Sequence, residues 1–162
     1  ACVACSMYAT GSTERGTGRS HSETCAAGPH EATAGSPGCE ACEGGKFSIA
    51  SAMNCSMCQA GTYSSTSASA CTNCSVGTYA DTSGTATCTS CSSGHSQPRE
   101  GRTSCEACTM GRSQSATGQR ECDKCEPGKF AESEGKTSCS ECPAGSVQPN
   151  NESASCDLCM NG

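Results

Sequence analysis

Nineteen of the 162 residues are cysteine, and most of them stand in C-x-x-C pairs. Thiols at that spacing support three chemistries. Two pairs together can hold a zinc ion as a four-thiolate site. A single pair can cycle between dithiol and disulfide. Each sulfur can instead be half of a structural disulfide, within its own pair or with a neighbouring one. The stretch CDKCEPGKFAESEGKTSCSEC, residues 122–142, poses the choice in miniature, with two pairs flanking a short polar loop.

Little else in the chain can hold a fold together. There is no Trp, aromatics are 3% of residues, and Ile49 and Leu158 are the only isoleucine and leucine. A chain of this length normally buries a sizeable apolar core, and this one lacks the side chains for it. Cross-links must replace the core. The formal charge of −6 argues against nucleic acid as a partner. No apolar run reaches membrane-span length and no signal peptide is visible. The sequence opens at Ala1 without an initiator Met, so the expectation is a window of a longer chain. No nucleophile, base and orienting group form a constellation, and there is no phosphate loop, so no enzyme and no cofactor are expected.

The elements that position the cysteines repeat. Pairs begin at Cys39, Cys55, Cys71, Cys88, Cys105, Cys122, Cys139 and Cys156, in steps of 16, 16, 17, 17, 17, 17 and 17. Counted from the second cysteine of each pair, place +3 is glycine in every loop: Gly45, Gly61, Gly77, Gly94, Gly111, Gly128 and Gly145. Place +5 carries Phe47, Tyr63, Tyr79 and Phe130, every aromatic except Tyr8. Place +10 is glycine at Gly84, Gly101, Gly118 and Gly135. The lone Cys25 fits the same ruler through Gly28, His30, Gly35 and Cys39, with Ser22 where its pair-mate should stand. The domain organisation expected is a divergent unit at 1–24, eight tandem repeats of about 17 residues over 25–159, and the start of a further unit at 160–162.

Glycine at the turn place suits a positive φ just after the cysteine. The stretches ADTSG, QPREG and AESEG read as hairpin tips ending in a left-handed glycine. The shorter loops 42–55 and 58–71 lack that glycine, which implies a tip one residue tighter. The aromatic is expected against a disulfide. Helix periodicity is absent, so the fold class is small and disulfide-rich: an elongated tandem array of short β-hairpins with little or no helix. Each repeat is expected to touch only its neighbours.

The single period decides among the chemistries. Zinc would combine pairs two by two and double the period, and none of His21, His30 and His95 stands in a C-x-x-H frame. A redox dithiol needs one copy at the start of a helix, not eight copies without helices. Disulfides remain. A bond within C-x-x-C is worth roughly 2 kcal/mol by chain entropy, against roughly 3 for the longer loop. Cys25 favours the long loop more firmly, because Ser22 cannot bond it while the loop keeps its signature. The scheme is Cys25–Cys39, Cys42–Cys55, Cys58–Cys71, Cys74–Cys88, Cys91–Cys105, Cys108–Cys122, Cys125–Cys139 and Cys142–Cys156, leaving Cys2, Cys5 and Cys159 unassigned. Such bonds imply an oxidising compartment, outside the cell or on its surface.

The pattern C-x-x-C-x-x-G-x-[YF]-x4-G-x3-C resembles the ephrin-receptor-like cysteine-rich repeat, and its single-disulfide loop is similar to the first module of tumour-necrosis-factor-receptor domains. CEPGKFAESEGKTSC and CSVGTYADTSGTATC match most closely, and the resemblance covers residues 25–159. It implies an extracellular, elongated, disulfide-linked array. It does not imply ephrin binding, since no ephrin-binding domain or kinase is present. Long arrays of this repeat are characteristic of large surface proteins of protists and algae, including components of flagellar hairs (mastigonemes).

Three sequons, at Asn54, Asn73 and Asn151, are candidate N-glycan sites, and the run SSTSASA at 64–70 could carry O-glycans. Between Phe47 and Pro98 the only formal charge is Asp81, a stretch that sugar or a neighbouring protein could cover. Arg99, Arg102, Arg112 and Arg120 follow, then Glu121, Asp123, Glu126, Glu132 and Glu134, an alternation that lateral or head-to-tail self-association could use. Loops 91–105, 108–122 and 142–156 carry Ser96, Ser113 and Val147 where the others have an aromatic, implying looser packing or a partner's apolar surface. The leading expectation is a segment of a structural extracellular glycoprotein, a stiff rod packed on further repeats of its own chain and serving as spacer or filament component. The alternatives are a receptor or adhesion ectodomain with a protein ligand, and a zinc-binding array.

Overall fold

The computed structural model describes residues 27–31 and 39–159. The expected unit 1–24, the sulfurs of Cys2, Cys5 and Cys25, and residues 160–162 lie outside the described residues. Among those described there is no helix; sixteen short strands form eight antiparallel two-stranded hairpins. In chain order β1 (Pro29–Glu31) pairs β2 (Cys39–Ala41), β3 (Lys46–Phe47) pairs β4 (Ser56–Met57), and β5 (Thr62–Tyr63) pairs β6 (Thr72–Asn73). Next, β7 (Thr78–Tyr79) pairs β8 (Thr89–Ser90), and β9 (His95–Ser96) pairs β10 (Glu106–Ala107). Then β11 (Arg112–Ser113) pairs β12 (Asp123–Lys124), β13 (Lys129–Phe130) pairs β14 (Ser140–Glu141), and β15 (Ser146–Val147) pairs β16 (Asp157–Leu158).

From β3 onward each first strand follows the turn glycine, and each second strand is the pair of residues inside C-x-x-C. The turn glycine makes that register. Gly77 has φ 77°, and Thr78 N–H returns to Ser75 C=O at 3.0 Å, a type II turn that needs glycine at its third residue. The tips differ by loop length. Gly84, Gly101, Gly118 and Gly135 have φ between 68° and 78°. In the two shorter loops the left-handed residue comes one place earlier and is Ser51 or Ser67 (φ 62° and 59°), so the tip is indeed tighter. In loop 142–156 Glu152 takes the glycine's place at φ 61°.

Successive units are laced together by backbone hydrogen bonds that repeat unit after unit. Gly77 N–H donates to Gln97 C=O of the next unit at 2.7 Å, and Gly77 C=O accepts from Cys91 N–H at 2.9 Å. The tip reaches the other way: Gly101 N–H donates to Cys74 C=O of the preceding unit at 2.8 Å. Gly84, Gly118 and Gly135 make the same bond to Cys58, Cys91 and Cys108.

Contact does not stop at the nearest neighbour. A Cβ built on Gly77 would overlap the carbonyl of Gly118, two units ahead, lying 2.6 Å from its carbon. Gly45 meets Gly84, Gly61 meets Gly101 and Gly94 meets Gly135 in the same way. The expectation that each repeat touches only its neighbours is therefore corrected. Each tip folds back along the array, and a turn glycine without a side chain lets its backbone abut a tip two units on.

Candidate functional site

Seven consecutive disulfides stitch the described chain: Cys42–Cys55, Cys58–Cys71, Cys74–Cys88, Cys91–Cys105, Cys108–Cys122, Cys125–Cys139 and Cys142–Cys156. Cys39 is also disulfide-bonded, and the partner expected for it, Cys25, lies outside the described residues. Cys159 is free and exposed, while its N–H keeps the array's pattern by donating to Gly145 C=O at 2.8 Å. With these sulfurs oxidised, they are not available as thiolate ligands. Among the described residues no three His, Cys, Asp or Glu side chains converge where they could hold a metal ion.

The interior is a narrow column. The second cysteine of six successive pairs, Cys42 to Cys125, is at most 1% exposed. Beside each lies the residue one place after the aromatic place, and that residue is buried in all seven units from Ser48 to Gln148. In order the column reads Ser48, Ser64, Ala80, Gln97, Gln114, Ala131, Gln148. The column is hard to see in the sequence, because serine and glutamine look like surface residues. A signal was present: small residues follow Phe47, Tyr63, Tyr79 and Phe130, and glutamine follows Ser96, Ser113 and Val147.

The glutamines explain the loops that lack an aromatic. Gln97 donates through Nε2 to Ser104 C=O at 2.7 Å and accepts at Oε1 from Arg99 N–H at 3.1 Å. Gln114 bridges Glu121 C=O and Ala116 N–H, and Gln148 bridges Ser155 C=O and Asn150 N–H. Each amide ties the two sides of its own tip, so these loops are filled from within rather than loosely packed. Ser48 and Ser64 at the same place instead donate to the preceding unit, at Pro29 C=O and Lys46 C=O. Gln97→Leu keeps the volume but strands a backbone donor and acceptor beside the spine. It should cost about 2 kcal/mol and raise amide exchange at Arg99, while Gln119→Leu on the same array is close to neutral.

At Tyr63, Ser96 and Ser113 the aromatic place lies by the closing cysteine of the following unit. Tyr63 and Cys88 line one open groove. Where serine replaces the aromatic, its hydroxyl lies on that sulfur, Ser96 on Cys122 and Ser113 on Cys139, both at 3.3 Å. The cysteines are oxidised, so the hydroxyl is the donor.

On the surface, Glu152 is held by Arg112 and by Lys124 (2.9 Å), residues of the unit two before it. Its hydrogen bond from Arg112, then that from Lys124, hold its carboxyl below the usual value of 4.5. A depressed carboxylate stabilises the fold above the unfolded value and loses that contribution as pH falls through the folded one. Acidification from pH 5 toward 3 should therefore lower the protection of the Glu152 amide, whose N–H bonds Cys125 C=O, relative to its intrinsic exchange rate at each pH, and Glu152→Gln should flatten that dependence. Arg112 and Glu152 are 30% and 34% exposed and Lys124 58%, so salt screens the cluster. Arg120 pairs with Glu121 and Lys136 with Glu132, while Asn54, Asn73 and Asn151 are all exposed.

The family model described as tyrosine-protein kinase ephrin type A/B receptor-like matches residues 77–120 and again 111–159, together just over half of the chain. A search of the curated proteins finds no match.

Proposed function

The chain belongs to the ephrin type A/B receptor-like family, and on that premise we propose that it is a structural segment of an extracellular glycoprotein. Its repeats are of a non-catalytic ectodomain type, and tandem disulfides suit an oxidising compartment. No helix among the described residues is long and apolar enough to cross a membrane. The array acts as a stiff rod, a spacer or filament component on a cell surface or flagellar hair, with further repeats of the same chain and lateral or head-to-tail copies as its partners.

The observation that carries this reading is the lacing. Units from Cys42 onward are each closed by a covalent bond and hydrogen-bonded to the next, and the turn glycines Gly45, Gly61, Gly77, Gly94 and Gly111 abut a tip two units on. Bending between units must break several backbone hydrogen bonds at once, which resists flexing more than a string of domains on linkers does. Electron microscopy of native material tests it, with straight rods or ordered filaments expected.

A receptor or adhesion ectodomain is the second reading. Ile49, Met53 and Met57 stand 56% to 67% exposed on the nearly uncharged stretch. Monomeric rods with a saturable protein partner on that stretch would reverse the ranking.

A further inference from the structure

We propose that Asn151 is an N-glycan acceptor of this array and that Asn73, the acceptor position of another sequon, stays bare. The proposal rests on the extracellular reading. An attached sugar is bulky and must leave the packed units undisturbed.

Asn73 does not meet that condition. It is the second of the two residues inside its C-x-x-C pair, and that place is the seat for the tip two hairpins on. A Cβ built on Gly84 would lie 3.4 Å from Met57 Cε, and one on Gly118 would lie 3.6 Å from Ser90 Oγ. Between them, one on Gly101 would lie 3.3 Å from both Cγ and Oδ1 of Asn73. The tip is fixed there by Gly101 N–H on Cys74 C=O. A sugar on Asn73 Nδ2 would stand two bonds from Cγ, crowding the tip whose backbone comes down beside that carboxamide. The middle residue of this sequon, Cys74, is 0% exposed and bonded to Cys88, so the site also closes as the spine forms.

Asn151 is at the opposite end of a hairpin. It is exposed on a tip, not beneath one. Its neighbour Glu152 is anchored through N–H on Cys125 C=O, and its carboxylate is drawn away to Arg112 and Lys124. Asn150 N–H on Gln148 and Ser153 Oγ on Asn150 C=O hold the rest of the turn. The acceptor amide is thus presented by a turn that is already tied down, and a sugar there extends into solvent.

The test is the full chain secreted from a eukaryotic cell, with glycans released enzymatically in heavy-oxygen water and the labelled aspartates mapped by mass spectrometry. Label at position 151 should exceed label at 73 several-fold, Asn151→Gln should remove one glycan's mobility shift, and Asn73→Gln should change nothing. Equal label at both positions, or none at 151 in a chain whose disulfides are closed, would overturn the proposal alone. Open thiols at the seven bonded pairs of the secreted chain would overturn the extracellular reading and the proposal with it.

Discussion

In the 162-residue segment, alanine in place of Gly77 is expected to open the middle of the array at a cost on the order of 4 kcal/mol, whereas Gly128→Ala, with no tip two units on within the segment, costs about 1–2 kcal/mol. The two glycines share a backbone conformation, φ 77° and 81°, so the left-handed penalty for a Cβ is common to both. Their surroundings differ. The Gly128 Cβ would meet nothing within 4 Å among the described residues, but the Gly77 Cβ would collide with the Gly118 backbone. Neither side can give way cheaply. Gly77 is held by Gln97 C=O and Cys91 N–H, and Gly118 by Cys91 C=O, so relief breaks hydrogen bonds to one of the buried cysteines. Because a repeat array opens locally, the measurement is amide exchange at Cys91 and Gly118 with the disulfides intact. Equal costs at the two glycines would mean that the contact between a unit and the second one after it contributes no stability.

That contrast also marks how far the sequence could be read. The period, the hairpins and the turn glycine were legible because cysteine spacing and positive φ leave few residue choices. The second demand on the same glycine was not, since a type II turn alone accounts for it. The tip glycines show the difference: Gly118 has Ser90 Oγ no nearer than 3.6 Å, so only its φ of 71° restricts it. Accordingly Ser51, Ser67 and Glu152 can stand at tips, and no turn place in the array has a substitute. The buried column was illegible for another reason. Its amides and hydroxyls satisfy backbone groups of a thin hairpin, a use of polar side chains that hydrophobic patterning does not register. The same blindness made loops with Ser96, Ser113 and Val147 look underpacked when Gln97, Gln114 and Gln148 fill them. Ion pairing of Glu152 with residues two units back depended on the folding-back of the tips, which spacing does not reveal.

Opening one loop covalently, by Cys91→Ser with Cys105→Ser, should cost about 3 kcal/mol or slightly more. The bond closes a separation of 14 residues, and its loss restores that segment's freedom in the unfolded chain. A hydroxyl also replaces a sulfur at 0% exposure in the spine. The damage should stay regional. Cys91 keeps its backbone bonds to Gly77 and Gly118, and both flanking disulfides remain, so protection is lost over loop 91–105 and weakened over the units it laces to. Full reduction is a different experiment with a larger result. With isoleucine and leucine present once each, no apolar core survives the loss of the cross-links, and a thiol reductant should unfold the whole array. A chelator such as EDTA should do nothing; unfolding by EDTA would return the pairs to the zinc reading. Non-reducing peptide mapping completes the test. Cys74 linked to Cys88 must appear, and a peptide linking Cys88 to Cys91 must not, because the seven bonds each join the second cysteine of one pair to the first of the next. That arrangement makes each unit a closed ring whose ends belong to its neighbours, which is why one cut loosens a region and only full reduction dissolves the rod.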